Sequence, residues 1–297
     1  MREEIKKIRD LMESADYVTD PAIATSVHLA MTLRKPLLIE GHAGVGKTEV
    51  AKVMSRMLGT RLIRLQCYEG LDAAQALYEW NYPKQILHIK LEESTVHSVE
   101  EKEAAIFSEP FLIRRPLLQA ISQDGMPPVL LIDEIDRADE EFEAFLLEVL
   151  SEFQVTIPEI GTIKATHPPH VILTSNRIRE LSDALRRRCL YLWVDFPDFD
   201  KEVRIVMRKV PGVNERLAQE VTRFMATLRT IRLAKVPGVA ETLDWAQALA
   251  ALHATHLDRE LVEETLGCIL KDADDIRRVR RELDTAGLGR FLPAQAT

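Results

Sequence analysis

Gly41-His42-Ala43-Gly44-Val45-Gly46-Lys47-Thr48 follows the apolar run Leu37-Leu38-Ile39 and opens a segment of strong helix formers. This order, strand then glycine-rich loop then helix, is the pattern of a phosphate-binding P-loop. Glycines let the backbone curl until successive N–H groups point at one anion, and the helix that starts near Lys47 adds the positive end of its dipole. Lys47 would act as a point charge between the β- and γ-phosphates. The Thr48 hydroxyl would take one place on a Mg²⁺ ion that keeps most of its waters, with Glu49 completing the binding stretch from 41 to 49. No residue that reads a base is evident, so the pattern leaves ATP and GTP both open.

Working outward, 297 residues suffice for a sizeable core and suggest two globular units. The 39 Lys+Arg against 47 Asp+Glu leave a net charge of −8, a field that repels polyanions. A motor that grips DNA through a basic groove is therefore disfavoured, and no nucleic-acid partner is expected. Basic residues do gather at Arg186-Arg187-Arg188 and around Arg277, Arg278, Arg280 and Arg281; the second group reads as a solvated helix face. Cys67, Cys189 and Cys268 have no paired spacing, and the chain shows neither a secretory leader nor a long apolar span. That predicts a cytoplasmic protein with no transmembrane segment, disulfide framework or zinc knuckle.

The pattern along the chain is α/β. Helical spacing over Pro21 to Leu33 leads into the first strand, and Glu49 to Leu58 is the helix the loop opens. Arg61 to Leu65 returns as a strand, so the crossover implies a parallel sheet covered on both faces. Val129-Leu130-Leu131-Ile132 is a continuous apolar run closed by Asp133-Glu134, as for a central buried strand. Asp139 reads as an N-cap for a helix with Phe142, Phe145, Leu146, Val149 and Leu150 on one stripe. A hairpin over Phe153–Ile157 and Thr162–Ala165 and two further strands, Val171–Thr174 and Leu190–Val194, complete the sheet signals. From Lys201 onward every segment is helical, with breaks at Pro211-Gly212, Pro237-Gly238 and Asp272. The expected division is an αβα nucleotide-binding core over 1–197 and an all-helical lid over 198–297.

Asp133 and Glu134 add the other half of a hydrolysis site. Asp133 can hold Mg²⁺ beside Thr48, while Glu134 polarises the attacking water, two adjacent carboxylates in two roles. Asn176, at the end of its strand, would present an amide to the γ-phosphate and that water, provided the strand order places it at the same edge; alone it is an ordinary turn residue. The short helix before Leu190 carries consecutive guanidinium groups. Arg188, with Arg187 second, is suited to reach a phosphoryl group bound by a neighbouring subunit. The competing reading is a solvated basic turn.

Between the second strand and Asp133 lies a section with Tyr68, Tyr78, Trp80 and Tyr82, followed by Glu92, Glu93, Glu100, Glu101 and Glu103. It reads either as a partner-binding insertion or as aromatics packing among themselves. His253 and His256 would share a helix face at i, i+3, and His167 and His170 form another close pair; neither has a third ligand nearby, so no metal site is expected there.

Taken together these motifs resemble the AAA+ ATPases over nearly the whole chain, and the order of P-loop, Asp133-Glu134, hairpin, Asn176 and Arg188 is similar to the MoxR family. Within it, Gln66 to Asp72, Tyr78-Glu79-Trp80-Asn81-Tyr82 and Ala240-Glu241-Thr242-Leu243-Asp244-Trp245 resemble the CoxD accessory ATPases of carbon monoxide dehydrogenase. The resemblance implies an AAA+ P-loop NTPase fold with an insertion at the second helix, a hairpin before the Asn176 strand and a helical lid. It also implies a hexameric, ATP-driven remodeller that assists maturation of a molybdenum-copper hydroxylase alongside a partner with a von Willebrand A domain. One departure is visible: the family's lid often places an arginine where this chain reads Gly238-Val239-Ala240-Glu241. A carboxylate near ATP would repel phosphate, so Glu241 is expected to face elsewhere. A nucleotide-gated scaffold that does no mechanical work is the rival reading.

Overall fold

The computed structural model describes residues 2–91 and 98–292. Two compact units divide the chain. One takes in Pro21–Glu40 and Thr48–Leu192 with the opening residues to Ile8; the other takes in Arg9–Asp20, Gly41–Lys47 and the chain from Trp193 onward.

Helices α1 (Arg2–Ser14) and α2 (Pro21–Leu33) precede strand β1 (Leu37–Gly41), and the glycine-rich loop then feeds α3 (Lys47–Leu58) and β2 (Leu62–Gln66). The section with the aromatics folds as α4 (Ala73–Leu77), β3 (Tyr78–Trp80), α5 (Tyr82–Leu91), α6 (Val99–Ile106), β4 (Leu112–Arg114) and α7 (Pro116–Ile121). Next come β5 (Val129–Asp133), α8 (Glu140–Glu152), the hairpin β6 (Gln154–Ile157) with β7 (Gly161–Lys164), β8 (His170–Ser175), α9 (Asp183–Arg188) and β9 (Leu190–Val194).

Five strands form one sheet in the order β2-β5-β8-β1-β9, in which β2/β5, β5/β8 and β1/β8 pair parallel. Every residue of β1 and of β5 is buried, as continuous apolar runs covered on both faces require. Register then decides what meets at the carboxyl edge. Gln66 stands beside Asp133, and Ser175 beside Glu40, so the ends of β5, β8 and β1 bring Asp133, Asn176 and Glu40 to one side of the sheet. That is the edge at which open α/β sheets place ligands.

In the aromatic section, β3 and β4 pair antiparallel, and Trp80 is buried with its ring edge-on to Tyr78 (6.2 Å) and Phe107 (5.3 Å). Tyr68 and Tyr82 are exposed instead, as are Ile86, Leu87, Ile89 and Leu91 along α5. The reading of aromatics packed among themselves therefore fits Tyr78 and Trp80 and does not extend to Tyr68 and Tyr82. Glu92 and Glu93 of the acidic run lie outside the described residues.

The second unit is a helical bundle of α10 (Phe199–Lys209), α11 (Glu215–Leu228), α12 (Val239–Ala251), α13 (Arg259–Ile269) and α14 (Ala273–Ala286). Side-chain caps at Asp198, Asn214, Asp258 and Asp272 start four of these helices. Trp245 sits fully buried among them, tilted against Phe224 at 5.0 Å and donating its indole N–H to Thr265 Oγ1 at 2.8 Å. Among the described residues no helix is long and apolar enough to cross a membrane. Trp245→Ala should lower unfolding free energy by about 3–5 kcal/mol through the cavity and the lost indole hydrogen bond, read from denaturant melts of the full chain.

Candidate nucleotide site

In the second unit the loop is drawn around Lys47, which is buried and donates through Nζ to the carbonyls of Gly41 (2.8 Å) and His42 (2.6 Å). Gly44 takes φ +76°, a conformation that costs other residues, and its carbonyl accepts from Ala240 N at 3.1 Å. His42 stacks on Phe196 with centroids 4.8 Å apart, meets Trp193 edge-on and lies 4.0 Å from Asp195. Ala43, Gly44 and Gly46 are exposed and Val45 is buried.

In the first unit the carboxyl edge of the sheet is organised by Asp133, only 2% exposed. Its Oδ1 accepts from Thr48 Oγ1 at 3.0 Å and Thr174 Oγ1 at 2.5 Å, and its Oδ2 from Arg64 Nε at 3.0 Å and Nη2 at 2.5 Å. Three elements thus supply the hydrogen bonds that an ionised, buried carboxylate needs. Thr174 also accepts from Glu134 N at 2.9 Å, which pins the turn where Glu134 adopts left-handed φ 55° and ψ 49°. A left-handed turn sends this side chain away from Asp133. Glu134 Oε2 pairs with Arg137 Nε at 2.6 Å, and Oε1 accepts from Asn176 Nδ2 at 3.4 Å. The same fields act on Cys67, whose N–H donates to Asp133 O: burial, then the charges of Asp133, Asp136 and Glu134, push its thiol up to about 12. Glu49, in the first turn of α3, pairs with Lys52 and Arg56.

The order of β8 between β5 and β1 is what brings Asn176 to Glu134. Asp136, buried in the 3-10 turn Ile135–Arg137, accepts from Asn176 N at 3.1 Å and Ile178 N at 2.9 Å. Glu143 of α8 continues the anchoring: it pairs with Arg179 at 2.5 Å and accepts from Ser182 N at 2.9 Å. The chain is thereby led into α9, where Arg186, Arg187 and Arg188 are all exposed. Arg188 Nη1 donates to Leu147 O at 3.4 Å, and Arg187 lies 4.0 Å from Asp183.

The sequence model of the AAA domain (dynein-related subfamily) matches residues 36–189, just over half of the chain. The chain belongs to this family. Uncharacterized proteins of Staphylococcus epidermidis (strain ATCC 12228) and Staphylococcus aureus (strain NCTC 8325) are 26% and 24% identical over 219 residues, 72% of this chain and 75% of theirs. A RuvB mutant of Thermotoga maritima shares the AAA fold at 17% identity and TM-score 0.50, over 98% of this chain and 83% of that one. The expected AAA+ P-loop NTPase fold is accordingly established, and with it an ATPase-type protein.

Sequence reasoning missed several residues of this AAA site. Arg64 and Thr174 read only as strand residues, and Asp136 and Arg137 carried no signal of their own. Gly238 looked only like a helix breaker. In the structure a Cβ on Gly238 would stand 2.6 Å from Ala43 O and 2.8 Å from Gly44 Cα, so glycine alone lets the start of α12 touch the loop. Glu241 is a correction. It does not turn away from the loop: its Oε2 accepts from Gly238 N at 2.8 Å and lies 3.1 Å from where a Gly44 Cβ would be. The positive N-terminus of α12 holds the carboxylate there. The His253/His256 helix face is a second correction, because α12 ends at Ala251 and His253 sits in a turn with φ 56°. Among the described residues no group of three or more His, Cys, Asp and Glu could hold a metal ion.

Thr174→Val keeps the shape of the side chain and removes both of its hydrogen bonds. Unfolding free energy should fall by about 1–3 kcal/mol, measured by chemical denaturation; an unchanged midpoint would show that Asp133 does not depend on this partner.

Proposed function

We propose that this chain is a Mg²⁺-dependent ATPase of the MoxR type that works as a homo-oligomeric ring, a hexamer, and uses ATP hydrolysis to remodel a protein client in the cytoplasm. One observation carries the reading. Thr48, Thr174 and Arg64 converge on Asp133, while the left-handed turn at the next residue gives Glu134 a separate set of partners. Adjacent carboxylates held in different directions suit one metal-side role and one water-side role.

The residues fit the cofactor. Thr48 Oγ1 and Asp133 Oδ1 are hard oxygen donors 3.0 Å apart, with no nitrogen or sulfur ligand beside them, and Mg²⁺ takes few protein ligands. When bound there it would neutralise charge on the β- and γ-phosphates. Residues 41–49 would cradle the triphosphate with main-chain N–H groups, and Lys47 would exchange the loop carbonyls of Gly41 and His42 for phosphate oxygens. Glu134 would orient the attacking water and accept its proton, with Asn176 fixing that water and the γ-phosphate from the neighbouring strand. We assign Arg188, seconded by Arg187, to the site of the adjoining subunit, where a planar guanidinium stabilises charge on the transferring phosphoryl group. Residues 1–197 would serve as the core and 198–297 as the lid.

The insertion supports a protein client over a nucleic acid. Tyr82, Ile86, Ile89 and their neighbours leave apolar surface on α5, whereas the net charge of −8 opposes a polyanion. The similarity of Gln66–Asp72 and Ala240–Trp245 to the CoxD subgroup favours carbon monoxide dehydrogenase as the client and a von Willebrand A domain protein as co-worker.

Lys47→Ala should abolish ATP binding in calorimetry, whereas Glu134→Gln should bind ATP with turnover at least 100-fold down; wild-type turnover in Glu134→Gln would refute its role. Arg188→Ala subunits mixed with Lys47→Ala subunits should recover part of the ATPase activity that each lacks alone. No recovery in proven mixed rings would mean that sites are not shared.

A further inference from the structure

The arginine cluster of α14 is not uniformly a solvated face. Arg277 pairs with Asp274, and Arg280 points to solvent, but Arg278 and Arg281 line two clefts that they share with Arg232 of the α11–α12 connection. One open cleft, of about 410 Å³, is also lined by Leu233, Ala234, Asp274 and Asp275; the other, of about 450 Å³, by Thr230, Ile231, Glu282 and Arg290.

The carboxylates of both clefts are already engaged. Asp275 is buried and accepts from Ala234 N and Lys235 N at 2.9–3.2 Å, Asp274 takes Arg277 at 2.6 Å, and Glu282 takes Arg290. Among the described residues no carboxylate lies within ion-pair distance of Arg232, Arg278 or Arg281. Arg278 instead donates to the Arg232 carbonyl, and Arg281 to the carbonyl of Arg277 at 3.4 Å. Three permanently charged groups therefore line the same two clefts with no ion pair of their own, beside carboxylates already engaged elsewhere. Their mutual repulsion is relieved by an anion, and the guanidinium fork matches the tetrahedral oxygens of phosphate better than a point charge does.

We propose that Arg232, Arg278 and Arg281 form a second anion site, separate in its residues from the P-loop, that takes a small ligand bearing two or more phosphate groups. Both clefts are lined by the same three arginines, so each offers a place for one phosphate. The site gives the helical unit its own response to a phosphorylated metabolite or to released phosphates.

The test uses the full chain carrying Lys47→Ala, so that the P-loop contributes little, titrated with pyrophosphate in a calorimeter. Binding should appear, weaken with added salt, and fall at least tenfold when Arg278→Ala is added. Arg280→Ala removes the same charge from the same helix outside the clefts and should change affinity less than twofold. Arg281→Ala repeats the comparison without removing the hydrogen bond to Arg232, in case Arg278→Ala fails to fold, and Arg278→Lys should give an intermediate loss. Absence of pyrophosphate binding in the Lys47→Ala chain, or equal weakening by Arg278→Ala and Arg280→Ala, would overturn the proposal.

Discussion

A carboxylate at the end of a fully buried strand must be compensated, and the structure around Asp133 is the consequence. Left without donors, a charge 2% exposed would cost several kcal/mol. The compensation comes from Arg64 on β2, Thr48 on α3 and Thr174 on β8. Satisfying one group therefore aligns three elements, and Thr174 passes the constraint on by fixing the N–H of Glu134. Two more buried acids extend the order along the chain: Asp136 catches the backbone of Asn176 and Ile178, and Glu143 catches Ser182 and Arg179. The segment from the end of β8 to the arginines of α9 hangs on these three carboxylates.

The helical unit uses a similar device. Glu202 is buried and takes both arms of Arg229, at 2.7 and 2.8 Å, as well as the Thr242 hydroxyl at 2.7 Å. Arg229 also donates to Pro237 O and lies 4.6 Å from the centre of the Phe196 ring, on which His42 stacks. This clamp sets the Pro237-Gly238 turn, and Gly238 has no side chain to hold α12 off the loop at Gly44. A change in the conformation of the loop would be felt at the start of α12, through the Ala240–Gly44 hydrogen bond.

Much of this was legible beforehand. The glycine-rich loop, the apolar run into Asp133-Glu134 and the helical stripes after Pro197 each carry a local signal, and the strands of the sheet and the helices flanking the loop formed within two residues of their expected ends. What could not be read depends on register. Arg64 and Thr174 are partners of Asp133 only because β2 and β8 flank β5, and nothing in their own neighbourhoods says so. Glu241 was misread because a general rule about charge near phosphate was applied without the capping geometry that fixes it. His253 and His256 fell outside a helix because α12 stops at Ala251, before either of them. Arg278 and Arg281 looked like ordinary surface because a sequence does not show that their nearby acids are occupied elsewhere.

The central claim is that Thr48 and Asp133 act together on a metal-bound triphosphate held by the loop. ATP binding should be followed by calorimetry across a range of Mg²⁺ concentrations for the wild-type chain and for Thr48→Ala. The account predicts affinity that rises steeply with Mg²⁺ in the wild type and little dependence in Thr48→Ala. Equal Mg²⁺ dependence in the two proteins, or no heat with any purine triphosphate in folded wild-type chain, would contradict it.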